Sequence, residues 1–380
     1  MVVLNNLLND ARVQKEAKSL THNGYDVVVI GIHTDKLASK EQIDGYDVIR
    51  IRLRSTKWKF RVLIQLIRYL EFTLRSAITM AKYKPHVCHA HAIQALPACW
   101  LVAKLVHSKL VYDAHEFEQG RDFSTAARIP WFMQKFWTTP ELLFIRSADA
   151  VITVSDTIAQ ALVTSYQIQS PIVIRNAPEN FKLPGPTTYL YDRYSLPSDL
   201  PIVLYQGKVN EGRGLRELIS SAKMVKNVAF VIAGDGPLID DLKNAAEENG
   251  DQTNVIFTGH IPLEILPVVT ASGTIGVVLT QNTCLNHFYS LPNKIFEYLQ
   301  AGIPVIGSDM PEISRVIRNF QVGEVIEHIS AENIANTIHL ILSNPDRYTN
   351  LKNNALNAGR KLTWEIEGVK LLNLYKKMVL

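Results

Sequence analysis

Short apolar runs alternate with helical patterns along the whole chain, which is the mark of βαβ units and parallel sheets. In the first half, Val27–Ile32, Val48–Leu53, Val87–Ala90, Lys109–Tyr112, Ala150–Val154 and Ile172–Ile174 read as strands. A loop-like stretch from Asn176 to Thr188 then holds three prolines and a glycine, a composition that suits a boundary. The pattern restarts with Ile202–Tyr205, Ala229–Ala233, Val255–Thr258, Ile275–Leu279 and Val305–Gly307. The expectation is an α/β chain of two Rossmann-like parallel-sheet domains, 1–178 and 189–362. A cleft between two such halves is a favoured place for ligands. Residues 363–380 read as an amphipathic helix that packs back toward the first domain. The opening, Met1 to Leu4, is short for a buried parallel strand, because Asn5 and Asn6 begin a polar loop at once. Either the first strand is stunted or the true start lies upstream.

Composition narrows the class. With 380 residues, 47% apolar and 20% charged, the chain can build two cores of ordinary globular type. A net charge of +4 is small for this length and does not indicate nucleic-acid binding. The three cysteines, Cys88, Cys99 and Cys284, are far apart and fit a reducing compartment rather than a disulfide framework. No basic segment followed by an apolar core opens the chain, and no run of about eighteen residues is apolar throughout, so a spanning helix is not expected. The reading is a cytoplasmic protein.

The most informative segment runs from Ser290 to Ile306. Pro292 suits the first turn of a helix, and Gly302 suits the left-handed residue that ends one. Lys294 adds a full charge beside the free N–H groups of the helix start, where phosphate binds well. Glu297, further in, can accept two hydrogen bonds from a ribose diol. Alone, the segment reads equally as a helix-to-strand connection. A second glycine-bearing turn, Gly207 to Gly214, follows the strand Ile202–Tyr205 and can bring Lys208 and Arg213 to a diphosphate. Its plain alternative is a βα loop with solvated charges. Gly234, Asp235 and Gly236 form another strand exit of the kind found at the mouth of an α/β cleft, with a plain turn as the alternative.

In the first half, His115 ends a strand and either faces the cleft, where a sugar or an acceptor would lie, or is a structural histidine. His89 and His91 point the same way on their strand. A metal would want a third ligand at a defined spacing, none is found, and no metal is expected. Residues 50–84 hold ten Lys or Arg against one acid, Glu71. Within them Arg61, Arg68, Arg75 and Lys82 recur every seventh residue, along one helix face. Flanked by Trp58 and Phe60, that stripe suits an anionic membrane surface, or else it is the solvated face of a core helix.

Together these residues resemble the GT-B-fold, retaining family-4 glycosyltransferases, over nearly the whole chain. Asp10 to Leu20 with Gly24 to Val29 is similar to the family's first helix and second strand. Asp113-Ala114-His115-Glu116 resembles its His-containing strand exit, where the His approaches the donor sugar. Val151 to Ser155 and Asn176 to Glu179 resemble the lead into its linker. Lys208 and Arg213-Gly214 occupy the places of the family's two phosphate-loop cations, with Lys and Arg exchanged. Ala233 to Pro237 and Phe257 to Ile261 match loops that would wall the base pocket, including His260 and Ile261. The family's paired glutamates are represented by Glu297 at the second position, which binds ribose, and by Tyr289 at the first, a departure. Ser290-Leu291-Pro292-Asn293-Lys294 resembles a branch of bacterial surface-polysaccharide pathways, in which donor contacts come from backbone near Ser290 and from Asn293 or Lys294.

The resemblance implies sugar transfer with retention from a UDP- or GDP-sugar to a glycan or lipid-linked acceptor. Lys208, Arg213 and His115 would act at the reaction centre, with no cofactor, no metal and no nucleic-acid partner. It would work in the cytoplasm or peripherally at the inner face of the plasma membrane. Two alternatives stay open: a nucleotide-sugar 2-epimerase using Asp113, Glu116 and Glu118, and an inactive nucleotide-sugar-binding subunit.

Overall fold

The computed structural model describes residues 1–8, 10–34, 37–57, 61–121, 131–180, 187–248 and 254–379. Trp58 and Phe60, the side chain of Arg61, and residues 181–186 of the proline-rich stretch lie outside the described residues. The chain divides into two compact units, Met1–Asn176 with Glu367–Leu380, and Ala177–Ile366.

The first unit carries two sheets. One is four parallel strands in the order Val87–His91, Lys109–Ala114, Ala150–Thr153 and Ile172–Val173. The other pairs Val28–Ile32 in parallel with Tyr46–Ile51, which pairs antiparallel with Lys40–Ile43. Lys40–Ile43 is a strand that the apolar pattern does not show, because it is a polar edge. Its turn, Asp44-Gly45, has positive φ at both residues (45° and 90°), as a two-residue hairpin requires. Val2 joins the two sheets, bridging Ile30 on one side and Ala90 on the other. The first strand is thus a single pairing residue before Asn5 turns the chain. The helix Ala11–His22 follows, capped by Asp10, whose carboxylate accepts from Val13 N at 3.2 Å. It buries Val13, Ala17 and Leu20, and also Arg12 and Glu16.

The second unit is a six-stranded parallel sheet. Its spatial order is Val255–Gly259, Ala229–Ala233, Ile202–Gln206, Ile275–Val278, Val305–Ser308, Gly323–Ile326. The final edge strand, Gly323–Ile326, is another that the apolar pattern did not reveal; it is only partly buried. Ile202–Gln206 and Ala229–Ala233 are buried at every position, so the sheet is packed on both faces. One face packs on Leu215, Leu218, Ile334 and Ile338, the other on Ile295, Leu299, Ile313 and Ile317. The chain order reverses between Ile202–Gln206 and Ile275–Val278. In a doubly wound sheet, the crevice beyond the carboxyl ends of the strands at such a reversal is where ligands bind.

Candidate active site

The residues singled out in the second unit gather at that carboxyl edge. Gly207 leaves its strand with φ of 119°, and Gly234 leaves the neighbouring strand with φ of 155°. A Cβ at Gly234 would stand 1.8 Å from Gly207 O, and one at Gly236 would stand 2.3 Å from Val209 O. Only glycine lets these two exits lie against each other, joined by Val209 N donating to Asp235 O at 3.0 Å. Asp235 is exposed and accepts from Gly236 N at 2.8 Å.

Lys294 reaches this loop from the other side of the reversal. A Cβ at Gly207 would be 3.3 Å from its Nζ, and Nζ stands 3.6 Å from the ring centroid of Tyr205. Arg213 is half-buried nearby, and among the described residues neither cation is paired with a carboxylate. Burial, then the charge of Arg213, pushes the Lys294 ammonium well below the ordinary lysine range. Arg213, joined by Lys294 whenever it carries its proton, makes this glycine loop a place suited to a polyanion. Lys208 is exposed, and its backbone oxygen accepts from Tyr205 Oη at 2.5 Å.

Glu297 lies in the first turn of the helix Lys294–Gln300 and accepts a hydrogen bond from Gln206 Nε2. Gln206 in turn accepts from Thr270 Oγ1 at 2.8 Å, so the amide is oriented from behind. Gln206, Thr270 and Tyr205 were not foreseen from the sequence, where a strand-ending Gln carries no motif. Pro292, expected in the first turn, stands two residues before Lys294 and outside the helix; Asn293 is the cap. The positive group nearest the Gly207 loop is therefore the Lys294 side chain rather than the start of this two-turn helix. Gly302 has φ of 70°, as its helix-ending place required.

The remaining candidates are less concentrated. Leu291 is buried in the core, and Ser290 Oγ donates to His287 O at 2.9 Å. Tyr289 ends the helix Leu285–Tyr289 with its ring 5.5 Å from that of Phe288. His260 is exposed and Ile261 half-buried, just past the edge strand Val255–Gly259, whose exit is tied to Gly234 by a bridge at Gly259.

In the first unit the structure assembles a buried polar cluster that the sequence did not show. The guanidinium of Arg12 grips Asp113 through Nε and Nη2 at 2.7 and 2.9 Å and donates to Ile174 O at 2.8 Å. Arg12 Nε is also 3.1 Å from Glu16 Oε1. His89 and His91 stack at 4.3 Å with an interplanar angle of 19°, and Tyr375 Oη lies 2.8 Å from His89 Nδ1. The sequence offered no third ligand beside the two histidines, yet Glu16 and Asp113 lie within 4.8 Å of them. Near-parallel rings direct their lone pairs side by side, however. An ion at roughly 2.0–2.1 Å from both nitrogens would stand far out of at least one ring plane. Arg12 already supplies a cation to both carboxylates. Burial and the nearby Asp113 push the Glu16 carboxyl well above the usual range.

The basic helix is Arg61–Ala81, so Lys82 falls just beyond its end. Arg75 pairs with Glu71 at 2.7 Å, and Glu71 also accepts from Arg54 N and Ser55 N. What the helix exposes instead is an apolar row: Leu70, Leu74 and Ile78 are 50%, 57% and 60% exposed.

Two family models match the chain: "Glycosyl transferase 4-like domain" over residues 10–176 and "Glycosyl transferases group 1" over residues 191–358. Among curated proteins, the alpha-D-kanosaminyltransferase of Streptomyces kanamyceticus is 25% identical over 245 residues, 62% of each chain. The matched part thus spans less than two thirds of that relative. Among solved structures, sucrose-phosphate synthase from Thermosynechococcus elongatus has a TM-score of 0.80 at 19% identity, covering 97% of this chain and 92% of its own. Anabaena HepE in complex with UDP and glucose has a TM-score of 0.74 at 14% identity, covering 99% and 98%. These likenesses are to glycosyltransferases of the GT-B fold. Matched over residues 10–176 and 191–358, the chain belongs to the glycosyl transferase 4-like and glycosyl transferases group 1 family.

Proposed function

We propose that the protein transfers a sugar from a UDP- or GDP-sugar, with retention of anomeric configuration, to a glycan or lipid-linked acceptor in cell-surface polysaccharide synthesis. The observation that carries this reading is the meeting of Lys294 and Arg213 at the Gly207 loop, with Glu297 held by Gln206 beside them. The cations would take the diphosphate, and Glu297 would accept from the two ribose hydroxyls. As the bond from the sugar carbon to the phosphate oxygen breaks, negative charge grows on the leaving group. Fixed positive charge there stabilises the transition state more than the ground state. The acceptor oxygen forms the new bond, and its proton passes to the departing phosphate. The solved likeness of HepE to this fold in complex with UDP agrees with a uridine donor.

Thermal shifts with UDP, GDP, CMP and ADP test the donor. At a hundredfold excess over its dissociation constant, the right nucleotide stabilises by about 2.7 kcal/mol. That corresponds to several degrees for a unit of this size. A shift with UDP or GDP alone is expected, whereas no shift with any of the four would overturn the reading. A shift without turnover of any nucleotide sugar would instead favour the inactive binding subunit.

A lipid-linked acceptor requires access to a membrane surface. No helix among the described residues is long and apolar enough to cross one. The apolar row Leu70, Leu74 and Ile78, in a segment with ten Lys or Arg against one acid, suits lying on one. Replacing Leu74 and Ile78 by glutamate is expected to abolish sedimentation with phosphatidylglycerol vesicles. Undiminished binding would remove the membrane from the proposal.

A further inference from the structure

Gln206 is 2% exposed and ends a strand whose other positions, Ile202 to Tyr205, are apolar and buried. A polar amide in such a place is costly unless its hydrogen bonds are made, so packing alone does not explain it. Two helices of the second unit supply those bonds. Tyr298, on the helix Lys294–Gln300, accepts from Gln206 N through Oη at 3.1 Å, and the same Oη donates to Leu204 O at 3.1 Å. A Cβ at Gly276, on the neighbouring strand, would stand 2.5 Å from the Tyr298 ring, so that strand makes room for it. The residue before Tyr298 is Glu297, which accepts from Gln206 Nε2. Thr270 is 1% exposed on the helix Leu266–Ala271, and its Oγ1 lies 2.8 Å from Gln206 Oε1 and 2.8 Å from Leu266 O.

These contacts decide which end of the amide faces which partner. A carboxylate only accepts, so the NH2 group faces Glu297 and Oε1 faces Thr270. The Thr270 hydroxyl has one hydrogen, which Gln206 Oε1 shares with Leu266 O. In the first unit, by contrast, His115 Nε2 meets Asp113 Oδ2 at 3.0 Å within a single strand exit.

We propose that Gln206 is a positioning residue, oriented by Thr270, which holds the Glu297 carboxylate ready to accept from both ribose hydroxyls of the nucleotide. The inference rests on the reading of Glu297 as the ribose acceptor and adds what prepares it. A glutamate side chain free to rotate loses that freedom when ligand binds. One already held loses little, so affinity is gained without a further contact to the ligand. Because Gln206 acts through Glu297, it contributes only when the ligand carries hydroxyls for Glu297 to take.

Calorimetry with UDP, GDP and their 2′,3′-dideoxy counterparts tests this. The wild type is expected to bind UDP or GDP about tenfold or more tighter than the matching dideoxy form. Gln206→Leu, which keeps the strand end filled, should weaken the ribonucleotide about tenfold and leave the dideoxy nucleotide within about twofold, the scale of one hydrogen bond lost and none. Thr270→Val, close in shape but without the hydroxyl, should show the same selective loss to a smaller degree, and Thr270→Ser should restore the wild-type ratio. In turnover of UDP-glucose or GDP-mannose the loss should fall on KM rather than kcat. Equal losses for both ligands, or no loss in either variant, overturn the inference and leave Glu297 at the ribose. A wild type that binds the dideoxy forms as tightly as UDP and GDP, or binds none of them, overturns the ribose reading itself and the inference with it. If Gln206→Leu does not fold, the two Thr270 variants decide.

Discussion

Replacing Lys294 by methionine should lower kcat/KM for the nucleotide sugar by about 10²–10³, or about 3–4 kcal/mol, the usual scale for one donor aimed at developing charge. The protein should stay folded, because methionine fills the same space over Tyr205 and removes an amine that burial and Arg213 already disfavour. A pH signature accompanies the loss. In the empty site the Lys294 pKa is lowered, whereas a bound diphosphate brings opposite charge and restores it. Between those two values, donor binding takes up a proton. Linkage then makes UDP affinity fall as pH rises through that window, by up to about tenfold per pH unit. Calorimetry of UDP binding in buffers of different ionisation heat measures the uptake directly. In Lys294→Met both the uptake and the pH slope should vanish. Turnover within threefold of the wild type would exclude Lys294 from the phosphate site.

Replacing Arg12 by methionine should destabilise the first unit by about 3–5 kcal/mol, the cost of stranding one partner of a buried ion pair. The guanidinium is the only cation within reach of both buried carboxylates among the described residues, and it also satisfies Ile174 O. Its loss leaves Asp113 charged in a dry place with only histidine contacts. Chemical denaturation reads the change, and heating should show a drop in Tm on the order of 10 °C. Asp113 has a depressed pKa in the fold, so its stabilising share is present above the ordinary Asp value and is lost as pH falls through the folded value. The penalty of Arg12→Met should accordingly shrink on acidification, when protonation removes the stranded charge. Adding Asp113→Asn should recover part of the loss at neutral pH. A cost below about 1 kcal/mol would mean that water reaches the cluster and that the pair is not buried.

Much of this architecture is written locally. Alternating apolar runs mark eleven strands within one or two residues because a buried strand must be apolar over a few consecutive positions. Glycines such as Gly207, Gly234 and Gly302 stand out because their backbone angles or close contacts admit little else. Lys294, Arg213 and Glu297 were visible for a related reason, being charged residues beside glycine turns at strand ends. The polar edge strand Lys40–Ile43 escaped the apolar pattern, although the Asp44-Gly45 turn was there to be read. The exposed face of Arg61–Ala81 was read as basic and is apolar in its middle, because Glu71 draws in Arg75.

What only the tertiary structure decided are the polar partners far apart along the chain. Gln206 meets Glu297 across 91 residues, Arg12 meets Asp113 across 101, and His89 meets Tyr375 across 286. The sequence by itself determined most of the elements and the chemistry available at the strand ends, since each depends on spacings of two to four residues. It did not determine which buried carboxylate each cation or imidazole would find. That pairing is set by sheet order, through which distant strands become neighbours, and no local period records it.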